Sequence, residues 1–309
     1  MTGPPFEYSP LPRRPPIEWP GGARVAVWVG VNVEHYAIDK PSISIVPPTV
    51  GLVPDPANYG WRDYGMRVGI WRLADVLERH GMRTCALVNA EVCELYPELV
   101  DEGRARGWTW LAHGHDNSTF QTGMEPDEEL DYLRRMTETI ERATGTSPRG
   151  WLGPALTETF DTPSLLAELG YDYVCDWCND DQPYPLRVAS GRMISVPYSI
   201  EVNDIPLLAT KGMTGPDFER VLVDQFDGLY AAAEDTGLVM AIPLHPFLVG
   251  QPFRLKYLDR ALAHIAGHDG VWLTTSDEIA GWYLDRYYDT ASASVAAGEP
   301  RSSSSSGGP

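Results

Sequence analysis

The hydrophobic positions along this chain switch repeatedly between two periods. Residues 24–33 (RVAVWVGVNV) form a run rich in β-branched side chains, the pattern of a strand buried on both faces. Residues 65–80 then carry Ile70, Leu73 and Leu77 on one helical face, and Gly81 stops the element. The same exchange continues. Strands are expected at 83–89, 108–112, 173–175, 195–199, 238–244 and 271–274, with a short one before Trp151. Helices are expected at 91–103, 127–144, 162–170, 216–236, 255–268 and 276–287. Alternating strands and helices imply parallel pairing through right-handed crossovers. About seven such units favour an α/β fold, a distorted (β/α)7 TIM-like barrel. The barrel domain is set at residues 23–288. Residues 1–22 read as an extended Pro-rich arm, since seven prolines fall there. Residues 289–309 read as a disordered tail ending in RSSSSSGGP. The Pro/Gly segment at 36–64 is too long for a plain connection and reads as a cover over a site.

In barrels of this kind chemistry collects at the carboxyl ends of the strands. Here the first strand runs into Glu34-His35, the 108–112 strand into His113-Gly114-His115-Asp116-Asn117, and the 238–244 strand into His245. Other strands lead to Trp151, to Asp176 and Asp180-Asp181, and to Asn203-Asp204. These groups suit hydrolysis of an amide-type bond, in which water is activated, the carbonyl polarised and the leaving nitrogen protonated. Glu34 is the candidate base and His245 the candidate acid. His35, His113 and Asn117 are candidates to hold a metal or to polarise the carbonyl. His115, Trp151, Asp180, Asp181, Asn203, Asp204 and Gln251 are assigned to substrate binding. Glu34, His113 and His245 are expected in one pocket, near Trp151 and Asp180. His80, His264 and His268 sit near helix C-termini, where the helix dipole favours cations, and receive no function.

Composition narrows the partners. A formal net charge of -19 argues against nucleic acid and against anionic membranes, and leaves a small neutral substrate open. The N-terminus lacks an apolar signal core and no stretch reaches about 18 apolar residues, so a cytoplasmic protein is expected. Cys175 and Cys178 form a C-x-x-C, but Cys85 and Cys93 do not supply the second pair of a zinc knuckle.

The segments 245–254 (HPFLVGQPFR), 196–204 (VPYSIEVND) and Asp176 to Tyr184 together resemble the polysaccharide deacetylases of the NodB-homology fold, and within them the allantoinase-like cyclic imide hydrolases. The resemblance spans roughly residues 20–287 and implies a hydrolase of a carbon–nitrogen bond that forms a homo-oligomer. In typical sugar deacetylases two aspartates end the first strand, and a His-x-x-x-His pair completes a metal site. Here Glu34 and His35 replace the aspartates, and His113 with Asn117 replaces the pair. The resemblance leaves two options, a divalent metal such as zinc or none. It also leaves a sugar deacetylase and a non-catalytic binding relic as alternatives to a small amide or imide hydrolase.

Overall fold

The computed structural model describes residues 3–41, 47–49 and 51–297. Its centre is a curled nine-stranded sheet in the order β6-β7-β5-β4-β3-β2-β1-β8, with β9 also paired to β1. The strands are β1 (Val25–Val33), β2 (Thr84–Val88), β3 (Thr109–Ala112), β4 (Gly150–Trp151), β5 (Tyr173–Val174), β6 (Tyr184–Leu186), β7 (Met193–Ser195), β8 (Leu238–Leu244) and β9 (Val271–Leu273). Every pairing is parallel except β6 with β7. The distorted (β/α)7 barrel expected from the alternation is therefore the fold. The antiparallel β6 was not legible: Tyr184-Pro185-Leu186 is short and contains proline, which belongs at a sheet edge.

The helices are α1 (Pro56–Tyr64), α2 (Ile70–Arg79), α3 (Ala90–Leu95), α4 (Pro97–Ala105), α5 (Pro126–Thr144), α6 (Thr162–Glu168), α7 (Gly215–Ala232), α8 (Pro252–Ala266), α9 (Ser276–Arg286) and α10 (Tyr288–Ala297). The single helix expected at 91–103 is two, because Pro97 has no N–H to continue the ladder. The 36–64 segment contains α1, which continues through a π-turn at Gly65–Gly69 into α2. Residues 289–297, placed in the tail by composition, lie in α10. The Ser-rich stretch lies outside the described residues.

Because a strand alternates sides, the sheet has two distinct apolar faces. Val25, Val27, Val29, Val31 and Val33 of β1 pack outward against the helices. Ala26 and Trp28 face inward with Cys85, Leu87, Leu111, Leu152, Tyr173, Ile194 and Val196. Trp28 donates its indole N–H to the Pro197 carbonyl at 3.1 Å, which ties the inner space across its width. The arm is tied to the barrel rather than loose. Trp19 is buried in the inner cluster, its indole N–H reaching the Leu238 carbonyl at 3.0 Å, and the Gly237 N–H bonds the Ile17 carbonyl at 2.7 Å. None of the four cysteines is in a disulfide, and Cys175 belongs to the inner apolar cluster.

Candidate active site

Strand parity decides what reaches the inner space at the carboxyl ends. Ala26 and Trp28 face inward, so Asn32 and Glu34 follow on the same side. Leu111 carries His113 inward from β3, and Val239 and Ala241 carry His245 inward from β8. The three side chains meet, as expected. Glu34 Oε1 lies 3.2 Å from His113 Nε2 and 3.7 Å from His245 Nε2, and accepts from Asn117 Nδ2 at 2.6 Å. Glu34 Oε2 accepts from the Tyr36 hydroxyl at 2.8 Å.

Both histidines are held from behind. His245 Nδ1 donates to Asp204 Oδ1 at 2.7 Å, while Asp204 Oδ2 accepts the His245 backbone N–H at 2.8 Å. This two-point grip fixes the ring and leaves Nε2 facing Glu34. His113 Nδ1 donates to the Leu152 carbonyl at 2.6 Å. Both ring nitrogens of His113 thus face oxygen atoms, the Leu152 carbonyl oxygen and Glu34 Oε1. The N–H of the same Leu152–Gly153 peptide donates to Asp176 Oδ1 at 2.6 Å, so Asp176 anchors the strand end behind His113. Burial pushes the Asp176 carboxyl well up, and the neighbouring Glu158 carboxyl adds to the rise. Gly114 holds a φ of 71°, which turns the chain between His113 and His115 at a conformation that a side chain disfavours.

The electrostatics follow from this packing. Burial by itself would raise the Glu34 carboxyl, but His245, His113 and the Tyr36 hydroxyl outweigh it and hold it down to about 2. Burial would lower the His245 imidazole, but Asp204 and Glu34 outweigh it and raise it. The Tyr36 hydroxyl is raised by burial and by the Glu34 charge. The site is therefore a buried carboxylate facing two histidines, of which His245 favours the charged form. The Arg62 guanidinium stacks over the Tyr36 ring at 3.7 Å and closes the outer side.

Comparison with known proteins agrees with this arrangement. The polysaccharide deacetylase family profile matches residues 61–174. A Schizosaccharomyces pombe protein, whose name assigns it provisionally to the polysaccharide deacetylases, is 28% identical over 295 residues, covering 85% of this chain and 91% of the relative. The Helicobacter pylori peptidoglycan deacetylase is 26% identical over 287 residues, covering 81% and 96%. The solved structure of PuuE allantoinase superposes with a TM-score of 0.81 at 25% identity, covering 89% of this chain and 95% of that one. In sequence and in fold the chain is similar to the polysaccharide deacetylases.

Several of the other site assignments land differently. His35 follows the outward parity of Val33, and its ring contacts the Tyr96 hydroxyl at 3.4 Å and Glu91 at 3.8 Å. Asn117 donates to Glu34 and accepts from Asn89 Nδ2 at 3.1 Å, so both ends of its amide are engaged. His113 and Asn117 thus meet at Glu34, while the His35 ring reaches Tyr96 and Glu91 at the mouth of the same pocket. Trp151 packs on the outer face of β4 rather than in the inner space. Asp204 supports His245 and is fully buried, so it is a positioning residue rather than a substrate contact.

Asp180 forms an ion pair with Arg14 of the arm at 2.5 Å. The adjacent Asp181 carbonyl takes the Val239 N–H, at the beginning of β8. His245 follows the end of that seven-residue strand, about 20 Å away. Asp180 and Asp181 thus lie at the opposite end of the barrel from Glu34. Asn203 Oδ1 accepts the Ile205 N–H and shapes the next turn, and Gln251 stands at the N-terminus of α8. His115 lies at the rim against Asp116 at 3.3 Å. Tyr36 and Arg62, which cover Glu34, were not singled out by sequence, because both fall in the segment read as a featureless cover.

Proposed function

We propose that the protein hydrolyses the carbon–nitrogen bond of a small linear or cyclic amide or imide, with Glu34 as base and His245 as acid. One observation carries the reading. The free space in front of Glu34 is about 10 Å³, lined by His35, Tyr36, Tyr59, Arg62, Asp63, Met66 and Tyr96. That is room for roughly one water, so substrate enters only by displacing this cover, and a site covered by aromatic side chains suits a small substrate better than a long glycan chain.

In this scheme Glu34 removes a proton from the water as its oxygen bonds to the substrate carbonyl carbon. The imidazolium of His245 then gives its Nε2 proton to the leaving nitrogen as the carbon–nitrogen bond breaks, and Asp204 stabilises the charge throughout. A carboxylate held near 2 is a weak base. Its weakness depends on the donors around it, and the Tyr36 hydroxyl is the one that a substrate can displace. Entry of substrate past Tyr36 frees Oε2 and strengthens the base at the moment it is needed.

The second reading is deacetylation of a sugar amide, supported by the similarity to the peptidoglycan deacetylase. A screen of allantoin, hydantoin, succinimide and N-acetylglucosamine oligomers, before and after dialysis against a chelator, separates the two. Turnover of a ring substrate that survives chelation is the expected result. Turnover of the oligomers alone would replace the imide reading with the sugar reading.

A further inference from the structure

Two clusters outside the Glu34 site bring three metal-type ligands within 4.8 Å of one another among the described residues: Glu91, His115 and Asp116, and Asp227, His264 and His268. The first is already satisfied. Asp116 accepts from the Ser118 N–H and the Thr119 hydroxyl, and Lys40 stands 4.0 Å away. The second differs in kind, and we propose that Asp227, His264 and His268 form a divalent transition-metal site that clamps α7 to α8.

The donor set argues for this. His264 lies in the last turn of α8 and His268 two residues past its end, and the turn brings the two rings together with centroids 4.6 Å apart. His268 Nδ1 donates to the His264 carbonyl at 2.8 Å, which leaves Nε2 as the nitrogen with a free lone pair. A backbone carbonyl behind a ligating imidazole is the support that metal-binding histidines use. His264 Nε2 lies 2.8 Å from Asp227 Oδ1, and a metal would take the place of the proton between them. Two imidazoles and one carboxylate suit zinc, and also nickel or copper, while magnesium and calcium prefer oxygen ligands alone.

The rings are also held in place. His264 and His268 pack edge to face at 4.6 Å, and both lie against Phe226 at 5.8 and 5.0 Å. Tyr230 packs edge to face against His268 at 5.4 Å and donates its hydroxyl to the Asp269 carbonyl at 2.9 Å. Little rotamer freedom remains to be lost on binding. The Asp227 side chain is 52% exposed and that of His264 35%, so an ion has access and water can fill the remaining positions. α8 starts after the His245 turn and runs back to the beginning of β9, so the cluster lies at the end of the barrel away from Glu34. The clamp is thus structural and separate from the hydrolytic site.

The test uses the untagged full chain after chelator treatment, titrated with zinc chloride by calorimetry in two buffers of different ionisation enthalpy. One zinc per chain is expected at this cluster, with proton release and a rise in Tm. His268→Gln and Asp227→Asn, each with wild-type Tm in the absence of zinc, are expected to weaken binding roughly 10-fold or more and to lose the Tm rise. An isotherm unchanged in His264→Ala/His268→Gln, or no zinc bound by the wild type, overturns the proposal.

Discussion

Glu34 illustrates how one side chain can be charged, buried and stable together. Its oxygens receive a neutral donor each from Asn117 and Tyr36 and face two histidines, so the cost of burial is outweighed. Glu34→Gln keeps the shape and removes the base, and kcat is expected to fall on the order of 10²–10⁴-fold. Tyr36→Phe removes one donor to the carboxylate, so the Glu34 pKa rises toward the ordinary carboxylate range. The acid limb of the kcat/KM profile is then expected to move to higher pH, and a limb that stays in place would detach Tyr36 from the base. Much of this chemistry is legible in sequence, since Glu34, His113 and His245 each directly follow a strong strand pattern. His35 follows Val33 in strand alternation, and its ring stands at the mouth of the Glu34 pocket against Tyr96 and Glu91. Asp204 was legible as a polar residue and not as the partner of His245, because 41 residues separate them and only folding closes that gap.

At the scale of elements, the site depends on close approach between the α1–α2 connection and the turn after β8. Gly69 in the π-turn faces the Pro246 carbonyl so closely that a Cβ would run into it, and Gly250 meets the same oxygen. Backbone against backbone leaves no flexible side chain to give way. Gly69→Ala is therefore expected to lower stability by about 1–3 kcal/mol in urea denaturation. It is also expected to cut kcat by pushing the His245–Pro246 turn away from Glu34. An Ala variant with wild-type stability and kcat would show that the turn tolerates displacement. The periodic helices and strands were readable because each carries its own hydrophobic pattern. The break at Pro97, the helix α1 within the covering segment and the edge strand β6 were less so. Each is short and set by local chemistry or by pairing with a distant partner.

For the whole molecule, the linked ionisations set a pH window. Glu34 is held down to about 2, so its contribution is full above the ordinary carboxylate pKa and is lost as pH falls toward 2. Asp116, with burial opposed by His115, Ser118 and Thr119, is also held down to about 2 and acts in the same direction. His245 is raised, so its contribution is full below the ordinary imidazole pKa and is lost as pH rises through the raised value. Denaturant midpoints measured from pH 3 to 9 are expected to fall at both ends, and the acid-side fall is expected to shrink in Glu34→Gln. An identical acid limb in that variant would assign the loss to other carboxylates. By itself, the amino-acid order determined the alternation of elements, the barrel class and the three residues that end its inward-facing strand positions, because these are encoded in local periodicity. Tertiary structure alone decided that Asp204 backs His245, that Asp180 pairs with Arg14 at the far end, and that Tyr36 and Asn117 both meet Glu34. Those facts depend on which distant strand ends and faces meet, and that follows from closing the sheet rather than from any single segment.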